Sequence, residues 1–176
     1  MRPVTKYVSW AIAAAALVAL AVVLVLVNLP EKRAKAAGTE VGEVLPDFTA
    51  ECLDGSIFRL EEQRGKVVVI NIWATWCAPC VKELPNFHRL QEEYGDNVVV
   101  LALHAAPITA DVPSYLSNYS YNILFALDEQ GELGNALNVS TVLPQTIIIA
   151  PDGTVAYNQP GALSYEKLVE IVEAAN

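Results

Sequence analysis

The run Val67-Val68-Val69-Ile70-Asn71-Ile72-Trp73 constrains the fold more than any other part of the chain. Seven residues, β-branched or apolar at every position but Asn71, read as a strand buried on both faces, which is how a central strand of a parallel sheet reads. It leads within four residues into Cys77-Ala78-Pro79-Cys80, and from there apolar residues recur at helical spacing through Val81, Leu84, Phe87, Leu90 or Gln91, and Tyr94, stopping at Gly95. Val98 to Leu103 is a second buried strand. Strand, helix and strand of this kind form a βαβ unit with a right-handed crossover, so the fold class is α/β.

Other elements follow from local signals. Phe48–Cys52 and Ser56–Leu60 flank Asp54-Gly55, a hairpin turn pair, and predict an N-terminal β-hairpin. A short helix is expected around Pro113–Tyr119, a strand at Ile123–Ala126 and a helix over Glu129–Leu137. Thr146–Ala150 is a third strong strand, joined through the turn Pro151-Asp152-Gly153 to Thr154–Tyr157. Ser164 is placed to cap a terminal helix whose stripe is Leu168, Val169, Ile171 and Val172.

Ahead of this domain, residues 8–29 carry no charge, and 22 residues give about 33 Å of helix, enough to cross a bilayer core. The expected organisation is a short cytoplasmic tail over residues 1–7, a single-pass transmembrane anchor over 8–29, a linker over 30–44 and one domain over 45–176. Basic residues flank the apolar block on both sides, and the N-in start places the domain outside the cytoplasm. A cleavable signal peptide is the alternative, since Ala34-Lys35-Ala36 has the small-x-small form of a cleavage site. From Gly38 onward six basic residues face nineteen acidic ones, a net charge of −13 that argues against nucleic acid as a partner.

The chemistry is expected at Cys77 and Cys80. A cysteine at a helix start meets free amides and the positive end of the helix dipole, so it ionises more readily than an ordinary thiol, and only the thiolate attacks a disulfide. Two intervening residues keep the second sulfur close but less accessible, ready to resolve a mixed disulfide. Pro79 suits a first helical turn. Zinc would need two more ligands, and Cys52, His88 and His104 form no second spaced pair. Haem attachment fails because Val81, not histidine, follows Cys80, and Thr75 is one residue too close to Cys77 for a peroxiredoxin pattern. A structural disulfide remains as the other reading.

The segment Gly65–Pro85 resembles the thioredoxin-like proteins of the TlpA/ResA type, which act in cytochrome c maturation, and the resemblance continues through Leu143-Pro144-Gln145-Thr146 and Asp152-Gly153 into the terminal helix. It implies a thioredoxin-like fold, a central mixed sheet flanked by helices, and thiol–disulfide oxidoreductase activity through Cys77 and Cys80, with no cofactor beyond the redox-active pair. It implies disulfide-containing protein substrates, apocytochrome c among them, and a membrane thiol-electron donor. A disulfide-forming oxidant and a non-catalytic adaptor stay open.

Residue by residue, Pro144 is similar to the proline that is cis in thioredoxin folds, and Leu143 before it would pair with an extended substrate. Trp76, Ala78 and Pro79 complete the substrate-facing set. Pro85 matches the proline within the active-site helix. Glu83 resembles an acidic residue kept beside the site, where it would exchange a proton with the pair; by spacing alone it reads rather as a solvated helix residue. Asn71 stands where general thioredoxins carry a buried Asp, so no buried acid is expected there. Trp73 and Trp76 match an aromatic pair near the motif. Cys52 shares a strand face with Phe48 and Ala50 and is expected as a buried core thiol. His88 and His104 are expected to be exposed.

Overall fold

The computed structural model describes residues 17–18 and 37–176. Among the described residues no helix is long and apolar enough to cross a membrane. The expected tail over 1–7, the linker up to residue 36 and all of the expected anchor except Leu17 and Val18 lie outside the described residues.

In chain order the elements are β1 (Thr49–Glu51), β2 (Ile57–Arg59), β3 (Val67–Trp73), α1 (Ala78–Tyr94), β4 (Val98–His104), α2 (Val112–Leu116), β5 (Leu124–Leu127), α3 (Glu132–Ala136), β6 (Gln145–Ile149), β7 (Val155–Pro160) and α4 (Tyr165–Ala175). Five strands form one sheet in the order β5-β4-β3-β6-β7, and β1-β2 is a separate two-stranded sheet. β3 pairs parallel to β4 and antiparallel to β6, while β4 and β5 are parallel and β6 and β7 antiparallel. The sheet is therefore mixed, with β3 at its centre and every residue of β3 buried.

The side-chain alternation of β3 divides the core in two. Val68, Ile70 and Ile72 face one way and join Leu45, Ala50, Cys52, Phe58, Leu60, Leu101, Leu103 and Ile147 beneath the hairpin. Val67 and Val69 face the other way, against Phe87 and Leu90 of α1 and Leu168 and Val172 of α4. On that second side, at the C-terminal end of β3, Trp73 packs with Ala74, Cys77, Cys80, Leu84, Ala102 and Val112. Burying each of these large apolar side chains contributes about 1.5–3 kcal/mol before entropy is set against it.

The hairpin turn forms where Asp54-Gly55 predicts it. Gly55 sits at φ +84°, a conformation that costs a residue with a Cβ, and the Asp54 carboxylate accepts from the Ser56 amide at 2.9 Å. Ser164 caps α4 by accepting from the Lys167 amide at 3.3 Å. The third helix is shorter than expected. Residues 128–131 form a turn, with Gly131 at φ +72°, and the Asp128 carboxylate accepts from the amides of Leu133 and Gly134 at 3.1 and 2.7 Å. The helix consequently starts at Glu132 and not at Glu129.

Residues 37–45, read from composition mostly as linker, are tied onto the sheet edge. The Gly42 amide donates to Val155 O at 2.9 Å, Val155 N to Glu43 O at 2.8 Å and Leu45 N to Gly153 O at 3.0 Å. Pairing to β7 carries no sequence periodicity, which is why composition alone misses it.

Candidate active site

β3 ends at Trp73, and the chain turns through Ala74–Trp76 before α1 begins at Ala78. The Cys77 amide closes this turn on Ala74 O at 3.0 Å. Cys77 itself is the residue capping the helix, in an extended conformation, and its sulfur accepts from the Cys80 amide at 3.4 Å. Pro79 lies in the first turn, where its missing N–H costs no helical bond. Cys77 and Cys80 are joined as a disulfide. Cys77 keeps 7% of its surface exposed and Cys80 none, so the two sulfurs are unequal in access, as their spacing predicts. The Cys80 amide that meets Cys77 Sγ, together with the helix dipole, would stabilise its thiolate once the bond is reduced.

Glu83 follows Cys80 by three residues, on the same face of α1. It is 3% exposed. One carboxylate oxygen accepts from Asn71 Nδ2 at 2.7 Å and the other from the Leu163 amide at 3.0 Å. Loss of water raises its pKa from 4.5 to about 7, against the lowering effect of those two donors. The expectation of no buried acid is thereby corrected: Asn71 occupies the strand position, and the carboxyl comes to it from the helix. The buried face of α1 is Cys80, Glu83, Leu84, Phe87 and Leu90, so Val81, expected on the stripe, is only partly covered. Pro85 lies within α1, and the helix continues through it.

Antiparallel pairing of β6 with β3 sets Gln145 opposite Ile72 and Thr146 opposite Asn71. The residues just before β6 consequently reach the end of the sheet that carries the cysteines. The Leu143–Pro144 bond is cis, and Leu143 packs against the cluster of Trp73, Cys77 and Cys80. Pro144 is buried, its carbonyl accepting from Gly161 N at 2.7 Å. Ala78 and Pro79 are exposed, and so is Trp76 at 53%, its indole N–H reaching Pro107 O at 3.4 Å. Trp73 is a packing residue, surrounded by the rings of His104, Phe125 and Tyr115 at 5.0, 5.8 and 6.1 Å.

The remaining expectations divide. Cys52 is 4% exposed, and burial pushes its thiol pKa up. His88 is half-buried, accepting from the Asn122 amide at 3.0 Å and packing edge-on to Tyr121. His104, expected exposed beyond a strand end, is fully buried. β4 runs one residue further than the apolar pattern suggests, and register places His104 between Trp73 and Leu127. Ala106–Pro107 is a second cis bond that pattern reading passed over; the only local signal was an Ala-Pro pair after a strand. Among the described residues no group of three or more His, Cys, Asp or Glu could hold a metal ion.

Comparison with known proteins agrees with this geometry. The family model described as Redoxin matches residues 40–175. The thiol-disulfide oxidoreductase ResA of Bacillus thuringiensis subsp. konkukian is 32% identical over 135 residues, covering 76% of this chain and 78% of the relative. The exposed lipoprotein thioredoxin of Streptococcus pneumoniae superposes with a TM-score of 0.67 at 26% identity, over 73% of this chain and 99% of that one. A secreted disulfide oxidoreductase of Mycobacterium tuberculosis, described as homologous to DsbE of E. coli, superposes with a TM-score of 0.62 at 28% identity, over 72% of this chain and 95% of that one.

Proposed function

Because the chain belongs to the Redoxin family, among thioredoxin-like thiol–disulfide oxidoreductases of the ResA kind, we propose that it reduces disulfides of proteins outside the cytoplasm, tethered by a membrane anchor over residues 8–29. Cys77 is the attacking thiol, Cys80 the resolving thiol and Glu83 the proton carrier. The observation that carries this reading is the graded burial along one helix start: Cys77 at the rim, Cys80 sealed, and a neutralisable carboxyl one turn behind.

In the forward reaction the Cys77 thiolate attacks one sulfur of a substrate disulfide. A mixed disulfide forms and the other substrate sulfur leaves as a thiolate. Cys80 gives up its proton to Glu83, whose pKa near neutrality suits acceptance and return of a proton. The Cys80 thiolate then attacks Cys77 Sγ, the Cys77–Cys80 bond closes, and the second substrate thiol is released. Two electrons have passed to the substrate, and the closed pair seen here is the spent form. Restoring it takes two electrons from a membrane thiol donor. Leu143, held by the cis bond to Pro144, lines the approach to the pair, and Trp76, Ala78 and Pro79 form its exposed border.

Apocytochrome c before haem attachment is the substrate proposed within this class, since it is what the ResA resemblance implies. Relatives described as an exposed lipoprotein and as secreted favour the extracytoplasmic placement. Equilibrating the Cys77–Cys80 couple against glutathione tests the direction: a potential below that of the glutathione pool is expected of a reductant, and a potential near that of strong oxidants would reverse the assignment.

A further inference from the structure

His104 has two hydrogen bonds that together fix its tautomer. Nδ1 lies 2.9 Å from Ala105 O, an acceptor only, so Nδ1 carries the hydrogen. Nε2 is left bare and accepts from the Thr75 amide at 3.0 Å, with the Thr75 hydroxyl at 3.4 Å. The ring stands edge-on to Trp73 with centroids 5.0 Å apart and has no exposed surface. Loss of water depresses its pKa, which keeps the ring neutral and Nε2 free to accept.

Thr75 is the middle residue of the turn between β3 and the cysteine pair, and Ala105 opens the loop that contains cis Pro107. That loop returns to the same turn, since Pro107 O accepts from the Trp76 indole. One imidazole thus ties the turn before the cysteine pair to the end of β4 and to the loop that follows it.

We propose that His104 is a positioning residue for the reaction, holding the turn that carries Cys77 so that its sulfur stays over the amides of the helix start. Without the bond to Nε2, the Thr75 amide loses its partner and the turn its tie to the sheet. Cys77 Sγ then drifts from the Cys80 amide that it meets at 3.4 Å, and the thiolate loses part of its stabilisation. The inference rests on Cys77 being the attacking thiol.

Two substitutions in the full chain separate the ring's two bonds. The side-chain oxygen of His104→Gln reaches the place of Nε2, whereas the amide of His104→Asn reaches only that of Nδ1. After reduction, iodoacetamide labelling of Cys77 across pH should match wild type in His104→Gln. In His104→Asn it should slow about fivefold at pH 7, the factor one ordinary hydrogen bond is worth, with the profile displaced to higher pH. Equal profiles in all three proteins, or equal displacement in both variants, would overturn the proposal, even if both melt at lower temperature. Should either variant fail to fold, the imidazole nitrogen shifts of wild type decide: a protonated Nε2 at pH 7 sinks the idea, a protonated Nδ1 sustains it. Labelling of Cys80 before Cys77 in wild type would instead break the assignment of the attacking thiol, a separate failure that the nitrogen shifts do not share.

Discussion

Cys52 and Cys77 lie on opposite sides of the same strand, and their surroundings differ in kind. Cys52 sits in the apolar cluster beneath the hairpin with Phe58, Ile70 and Leu103. There burial pushes its pKa up, against the lowering effect of Ser56 and the Phe58 backbone, and its thiol lies 4.0 Å from Ala50 O. On the other side the layer includes Asn71, Glu83 and His104, all buried and all hydrogen-bonded, and the sulfur there meets a backbone amide at a helix start. The two faces of β3 thus give two thiols different surroundings. At Cys52 desolvation outweighs the lowering effect of Ser56 and the Phe58 backbone, whereas the Cys77 sulfur sits at a helix start, where the Cys80 amide and the helix dipole favour an anion.

The comparison breaks first on the cysteines themselves. Cys77→Ser should reduce turnover in a disulfide-reduction assay by on the order of a thousandfold or more, while Cys52→Ser leaves it unchanged. Comparable losses in both would erase the distinction between the two faces. Cys80→Ser should also stop turnover but retain the first attack, accumulating mixed disulfides that non-reducing gels display as new high-mass bands.

A smaller effect belongs to Glu83. A carboxyl with a folded pKa of about 7, against 4.5 ordinarily, holds its proton in the native state after the unfolded chain has lost it. Stability therefore falls as pH rises from 4.5 to 7, by about 3 kcal/mol in all, and stays lower above that range. Urea unfolding of the oxidised protein should register this loss between pH 4 and 8 in wild type and not in Glu83→Gln. The same variant should lose the limb of the pH–rate profile near neutrality. Parallel stability curves would mean that the carboxyl is hydrated after all. Smallest is Cys52→Ala, expected to cost about 1–2 kcal/mol in thermal unfolding through the small cavity left, with no change in the pH dependence of turnover.

What was legible in the sequence follows from which forces are local. β3 coincides with its β-branched run, the hairpin with Asp54-Gly55, and α4 with its Ser164 cap, because strand burial, turn conformation and capping are set within a few residues. The cysteine pair was legible for the same reason. His104 was not placed correctly, and Glu83 was placed beside the pair by resemblance and not by spacing, since each owes its burial to partners far along the chain. Spacing puts Glu83 on the Cys80 face of α1 but cannot reveal that Asn71 and Leu163 receive it. His104 looks like the residue after a strand until pairing with Trp73 and Leu127 extends that strand over it. The attachment of residues 37–45 to β7 belongs with these, being backbone pairing without pattern.

The two hydrogen bonds of Glu83 span 12 and 80 residues of sequence. Synthesis runs from the N-terminus, so strand β3 and helix α1 leave the ribosome long before Leu163 does. During that interval the Asn71 side of the carboxylate's seat can form and the Leu163 side cannot. The nascent chain already carries both cysteines, while only the Asn71 donor is available to the Glu83 carboxylate. The Leu163 amide arrives only once the segment before α4 has been made, and its bond offsets part of the rise that burial imposes on the carboxyl, so the acidity of Glu83 is not set until then.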